Sequence, residues 1–247
     1  LSPMPVDNLS FRIEVEGNLR GAYFRKVRST SHVDHRGIRG VGILPLVSFD
    51  PDRQYVSGQG LDHLTTGPLD RPSVYMGGHA AGREVDAGLT WDRVYDPHGR
   101  AIYTDDPLGT DSRDPAHRFA HVQVEGQPAL EDGTGNVVAV GQDDVDIWTD
   151  RLRPNFAFRP FWRTTHEGGN RWHNPRVGSA DNVYFYPGER FTMTVQEAGP
   201  NQVQMGIRLE GELPTEHFTT TFRQERFGVG RPQSFKRVNS IDQFTVD

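Results

Sequence analysis

Five residues in one short window carry groups suited to moving a proton and holding a negative charge. They are His166, Glu167, Asn170, Arg171 and His173, set around Gly168 and Gly169 in THEGGNRWHN. Imidazole titrates near neutrality and can take a proton from carbon or oxygen. A tyrosine can return one, and Tyr184 and Tyr186 follow in the run VYFY. A planar guanidinium clamps a carboxylate. Together these residue types predict elimination chemistry on a uronate-containing polysaccharide, with His166 or His173 as base, Tyr184 or Tyr186 as acid and Arg171 as the carboxylate clamp. The plainer alternative is a polar surface loop with no chemistry. The spacing has no metal-site grammar, because His166 and His173 imply no third ligand.

The surrounding stretch, Asn155 to Gly211, adds flat rings. Trp162 and Trp172 present apolar faces that suit the CH-rich planes of sugars. Strand parity puts Tyr184 and Tyr186 on one face and Phe185 on the other. That predicts Phe185 inside and the tyrosines on a wetter wall, against the alternative that all three are core. The expected substrate-binding set is Trp162, Trp172 and Asn170 with the polar strand positions Gln196, Gln204 and Arg208.

Weaker constellations lie elsewhere. His32, Asp34 and His35 in SHVDHRG have ligand types suited to zinc, and His32 and Asp34 share a face if the segment is a strand. Acid-rich turns at 50–52, 105–114 and 143–146 could hold a structural calcium, although none fits the EF-hand pattern. No cofactor is otherwise required. Glu210 and Glu212 share parity beside Glu197, a carboxylate set for glycoside hydrolysis that ranks below the lyase reading. There is no G-x-S-x-G, P-loop, G-x-G-x-x-G or H-E-x-x-H motif.

These residues need a scaffold, and the pattern is that of strands. Phe191, Met193 and Val195 alternate with Thr192, Thr194 and Gln196. After the turn AGPN, Val203, Met205, Ile207 and Leu209 alternate with polar neighbours. ALEDGTGNVVAVG is strand, turn and strand, and DPHGR turns between two further runs. SFRIEVEG, FAHVQVEG and HFTTTFRQ alternate as well, and an edge strand is expected at Ile241 to Val246. Residues 50–90 show no sustained period, so they are expected to be a loop-rich insertion with one or two short strands around Val74 to Gly77.

The whole chain, 1–247, is therefore expected to be one all-β domain: an antiparallel two-sheet β-sandwich of the jelly-roll kind. Its layout resembles the concanavalin-like sandwiches of lectins and polysaccharide-degrading enzymes. The resemblance is one of strand number and length, so no catalytic position is carried over.

Composition narrows the partners. The net charge is −6, which argues against a general nucleic-acid binder. Lys26 and Lys236 are the only lysines, so positive charge is almost all arginine. There is no cysteine, which removes disulfides and thiol chemistry. No apolar run reaches the roughly 18 residues a membrane-spanning helix needs. The opening LSPMPVDNLS suggests a processed or trimmed chain. The combined expectation is an extracellular protein that binds, and on the lyase reading cleaves, a polysaccharide or oligosaccharide. The alternative is a non-catalytic structural or protein-interaction module.

Overall fold

Alternation decides the clearest element. Phe191, Met193, Val195, Val203, Met205, Ile207 and Leu209 are all buried, and they sit on one face of two antiparallel strands in register Val195↔Met205. The turn between them places Asn201 at φ +58°, a left-handed conformation that asparagine tolerates. Its main chain then accepts from Gln224 N and donates to Phe227 O.

The protein's structure is a computed structural model that describes residues 9–19, 22–33, 36–43, 47–49, 71–106, 113–179, 181–186, 189–210 and 217–243. The described residues form three sheets, and every strand pairing in them is antiparallel. The first sheet runs β1 (Leu9–Leu19), β2 (Ala22–Val33), β3 (Gly37–Ile43), β14 (Arg190–Gly199), β15 (Gln202–Leu209) and β16 (His217–Arg223), with β4 (Val47–Phe49) also paired to β2. The second runs β13 (Gly169–His173), β12 (Phe156–His166), β6 (Arg83–Arg93), β5 (Arg71–Ala80) and β17 (Gln233–Gln243). The third runs β10 (Val137–Val140), β9 (Gln127–Asp132), β8 (Arg118–Val124), β7 (Ile102–Thr104) and β11 (Arg153–Pro154).

One hydrophobic cluster takes side chains from the first two sheets: Val74, Val85, Leu89, Trp91 and Phe158 from the second, Met193, Val195, Met205 and Ile207 from the first. A second cluster joins Val94, Ile102, Ala120, Ala157, Tyr184 and Tyr186, so the third sheet covers part of the opposite face of the second. The third sheet has its own core, Phe119, Leu130, Ala139, Val145 and Leu152, capped by the short helix α1 (Gln142–Thr149). The sequence reading passes over that helix, since Val145 is its only buried residue. Asp143 and Asp144 in its first turn suit the positive end of a helix.

The all-β character is as expected, and the three predicted turns, AGPN, DGTG and DPHGR, each join antiparallel partners. In the β9–β10 turn, Asp132 accepts from Thr134 N and Asn136 N. The Thr134 hydroxyl, which donates to the same carboxylate at 2.7 Å, and these amides hold its carboxyl down at about 2. Residues 71–90 differ from the expected loop-rich insertion: β5 and β6 lie inside the second sheet rather than outside the fold. Positions Val85 to Leu89 are buried without a break because the large cluster covers Val85, Ala87 and Leu89 while Arg163 and the Tyr75 and Phe161 rings lie over Asp86 and Gly88, and alternation is a signal only of half-buried strands. Residues 50–70 lie outside the described residues. So does the end of the predicted edge strand beyond Gln243, whereas Ile241–Gln243 belong to β17, which among the described residues pairs with β5 alone.

Candidate functional site

The predicted residues do not gather in one groove. β12 and β13 form a hairpin in register Trp162↔His173, Arg163↔Trp172 and Thr165↔Asn170. Side chains alternate across a strand, so the register sends Trp162 and His173 to one face and Trp172 and Asn170 to the other.

On the inner face Trp162 packs against the large cluster. Its ring stacks with Phe222 at 5.7 Å and 17°, and with His173 at 5.6 Å and 12°. Two histidines then converge on one buried hydroxyl: Thr164 Oγ1 lies 2.8 Å from His166 Nε2 and 3.3 Å from His173 Nε2. Burial lowers the pKa of His173, and the nearby His166 and Arg171 lower it further. The amide of the fully buried Gln224 fixes the strand beside them, accepting from Thr165 N and donating to Thr165 O, each at 3.0 Å.

The tyrosines are elsewhere. Parity is as predicted, with Phe185 in the large cluster and Tyr184 and Tyr186 in the second, but the wetter wall is corrected: Tyr184 and Tyr186 are both buried, because the third sheet covers their side. Tyr184 Oη accepts from Tyr95 N and Asn182 Nδ2, both at 2.9 Å. Burial pushes the Tyr186 hydroxyl up to about 12. Phe185 pairs with Phe158 on β12. From Phe158 to His166 is eight residues of strand, about 26 Å at 3.3 Å per residue, and to Trp162, the partner of His173, about 13 Å. The expected histidine–tyrosine acid–base pair is therefore not assembled, and Arg171 clamps no site that contains both.

The outer face of the second sheet carries the exposed ring. Trp172 is 51% exposed and stacks on Phe161, with centroids 5.4 Å apart at 29°. The Arg163 guanidinium lies 5.7 Å from its ring centroid, within cation–π reach. Arg163 is held by Asp86 and, at 3.3 Å, by Glu84. Phe161 meets Tyr75 edge to face at 6.0 Å across Gly88. A Cβ on Gly88 would come within 2.7 Å of Tyr75 Cβ, so only glycine lets the rings close over that strand. Asn170 is fixed at the same edge by Thr165 Oγ1, 3.0 Å from its Oδ1. Tyr75, Phe161 and Gly88, which support the exposed ring, are the residues of this face that the sequence reading missed; they lie in or opposite strands whose burial on both faces hides their period.

Gln196, Gln204 and Arg208 lie on the polar face of the first sheet, turned away from the shared cluster. Gln196 Nε2 donates to Gln204 Oε1 at 3.2 Å, and Gln204 Nε2 to Thr221 Oγ1 at 3.4 Å. Gln196 and Gln204 form an amide ladder on the first sheet, whereas Trp172 stands on the second. Glu210 accepts from Thr192 Oγ1 at 2.6 Å, and Glu197 faces Arg36 at 3.6 Å. Glu212, Asp34, His35 and the turn at 50–52 lie outside the described residues, as does the side chain of His32. Among the described residues no three His, Asp or Glu side chains are placed to hold a metal ion. Of the other acid-rich turns, 143–146 is the start of α1, and Asp105 in the third pairs with His117 at 2.8 Å. Among the described residues no helix is long and apolar enough to cross a membrane.

No family model, curated protein or solved structure matches the chain.

Proposed function

We propose that this chain is a non-catalytic carbohydrate-binding protein that seats a polysaccharide on the outer face of the second sheet, with Trp172 as the platform. The observation that carries the reading is the exposed Trp172 ring, backed by buried Phe161 and edged by Arg163 and Asn170. An exposed indole is costly in apolar surface and rigid here, which suits a flat sugar ring. The polar groups at its edge provide directional contacts of the kind that hydroxyls need. The hydrophobic cluster shared by the first two sheets supports a β-sandwich of the jelly-roll kind as the scaffold. An extracellular setting belongs to the same proposal. Cleavage does not, because the histidines and tyrosines lie apart.

An array of immobilised neutral and uronate-containing polysaccharides, probed with the whole chain, tests this. Saturable binding to at least one class, lost in Trp172→Ala, is expected. Binding to none would favour the alternative, in which the same ring anchors a protein partner, since tryptophan also serves as a hot-spot residue at protein interfaces.

A further inference from the structure

A second site lies on the other side of the buried tyrosines. Between the third sheet and Ser179, Asn182, Val183, Tyr184 and Tyr186 is a cavity of about 430 Å³. That volume falls within the roughly 300–1,000 Å³ typical of small-molecule sites. Ile102, Pro97, Pro115 and Val183 give it apolar walls.

Its polar groups are unusually available. Most charges at the rim are already paired. Asp96 is bound by Arg100 Nε at 2.5 Å, and Arg113 is held by Glu189, with Nη2 to Oε2 at 2.8 Å. Arg118 makes no ion pair among the described residues, so it leaves one net positive charge on the lining. Three buried lining atoms have no hydrogen-bond partner among the described residues: Arg118 Nε, Ser179 Oγ and Asn182 Oδ1. Asn182 Nδ2 donates to Tyr184 Oη, which leaves Oδ1 as the side of the amide without a partner. The free set is therefore one cationic donor, one hydroxyl and one amide acceptor. Buried polar groups are almost always satisfied, and a ligand that satisfied this set would need an anionic acceptor and a hydroxyl donor in one small molecule.

We infer that this cavity binds a small hydroxylated carboxylate of sugar-acid size, its carboxylate toward Arg118 and a hydroxyl donating to Asn182 Oδ1. The site is separate from the Trp172 platform and does not depend on that reading. Calorimetric titration of the whole chain with D-glucuronate, D-galacturonate and D-glucose tests it. The expected result is saturable binding of at least one uronate, with glucose weaker by about tenfold or more, and a loss of about tenfold or more in Arg118→Gln. Asn182→Asp preserves side-chain shape and adds a negative charge that competes with the ligand's carboxylate for Arg118; it should weaken uronate binding by about tenfold or more, and it carries the test if Arg118→Gln does not fold. Absence of binding to either uronate at about 20 mM would overturn the inference. So would equal affinity for glucose, or unchanged uronate affinity in a folded Arg118→Gln or Asn182→Asp protein.

Discussion

Trp172 and Phe161 stack across adjacent strands with centroids 5.4 Å apart, one ring half open to solvent and the other 1% exposed. The buried ring fixes the height and tilt of the exposed one. Phe161 is in turn held by Tyr75 over Gly88, so the platform rests on three strands of one sheet.

Gly88 is the position where this support is most sensitive. A Cβ there would meet Tyr75 Cα at 2.5 Å, and the backbone has no free space to give. Gly88→Ala should destabilise the fold by about 1–3 kcal/mol, the range for overpacking a tight site. Denaturant unfolding should show a lower midpoint with an unchanged slope. A midpoint equal to that of the unsubstituted protein would mean that the rings do not close over Gly88 as described.

Tyr184 separates a structural hydroxyl from a catalytic one. Its Oη accepts from Tyr95 N and Asn182 Nδ2, and its pKa is raised mainly by burial. Tyr184→Phe leaves both donors without their acceptor, which should cost about 1–3 kcal/mol of stability. Polysaccharide binding by the folded variant should be unchanged. Loss of binding without loss of stability would return Tyr184 to the site.

His173 gives a pH test. Its pKa lies below 6.5, first through burial and then through His166 and Arg171. In the range between that lowered value and 6.5 the unfolded chain binds more protons than the folded one, so stability falls as pH falls. The contribution is fully present above pH 6.5 and is lost as pH drops through the folded-state value. Following the His173 ring protons by NMR should give a midpoint below 6.5, and Thr164→Val, which removes the hydroxyl 3.3 Å from its Nε2, should change that titration. A midpoint at or above 6.5 would contradict the burial of this ring beside Trp162.

The strands that face water on one side were legible in the sequence. β14 and β15 alternate cleanly because one face meets the core and the other carries the Gln196–Gln204 ladder. β6 was not legible, because Val85 to Leu89 is covered on both faces and loses its period. Tyr184 and Tyr186 failed for the same reason: parity placed them on one face, but nothing local announces that a third sheet covers it. Closeness in sequence groups the two tryptophans in one groove. Their separation depends on the register of the β12–β13 hairpin, in which a shift of one residue exchanges the faces. The pattern His-Glu-Gly-Gly carries the missing signal. Gly168 stands at φ +94°, and His166 pairs with Gly169 across a two-residue turn, which places Trp172 opposite Arg163.

The most direct measurement is tryptophan fluorescence during titration with neutral and uronate-containing polysaccharides. Of the four tryptophans, Trp172 is the exposed one, while Trp91 is buried and Trp148 and Trp162 are partly covered. Binding on the platform should give a saturable change that protects the indole from iodide quenching, and Trp172→Ala should remove the change and weaken binding by about tenfold or more, some 1.4 kcal/mol. A flat response to every polysaccharide, or an undiminished response in folded Trp172→Ala, would contradict the assignment of Trp172 as the sugar platform.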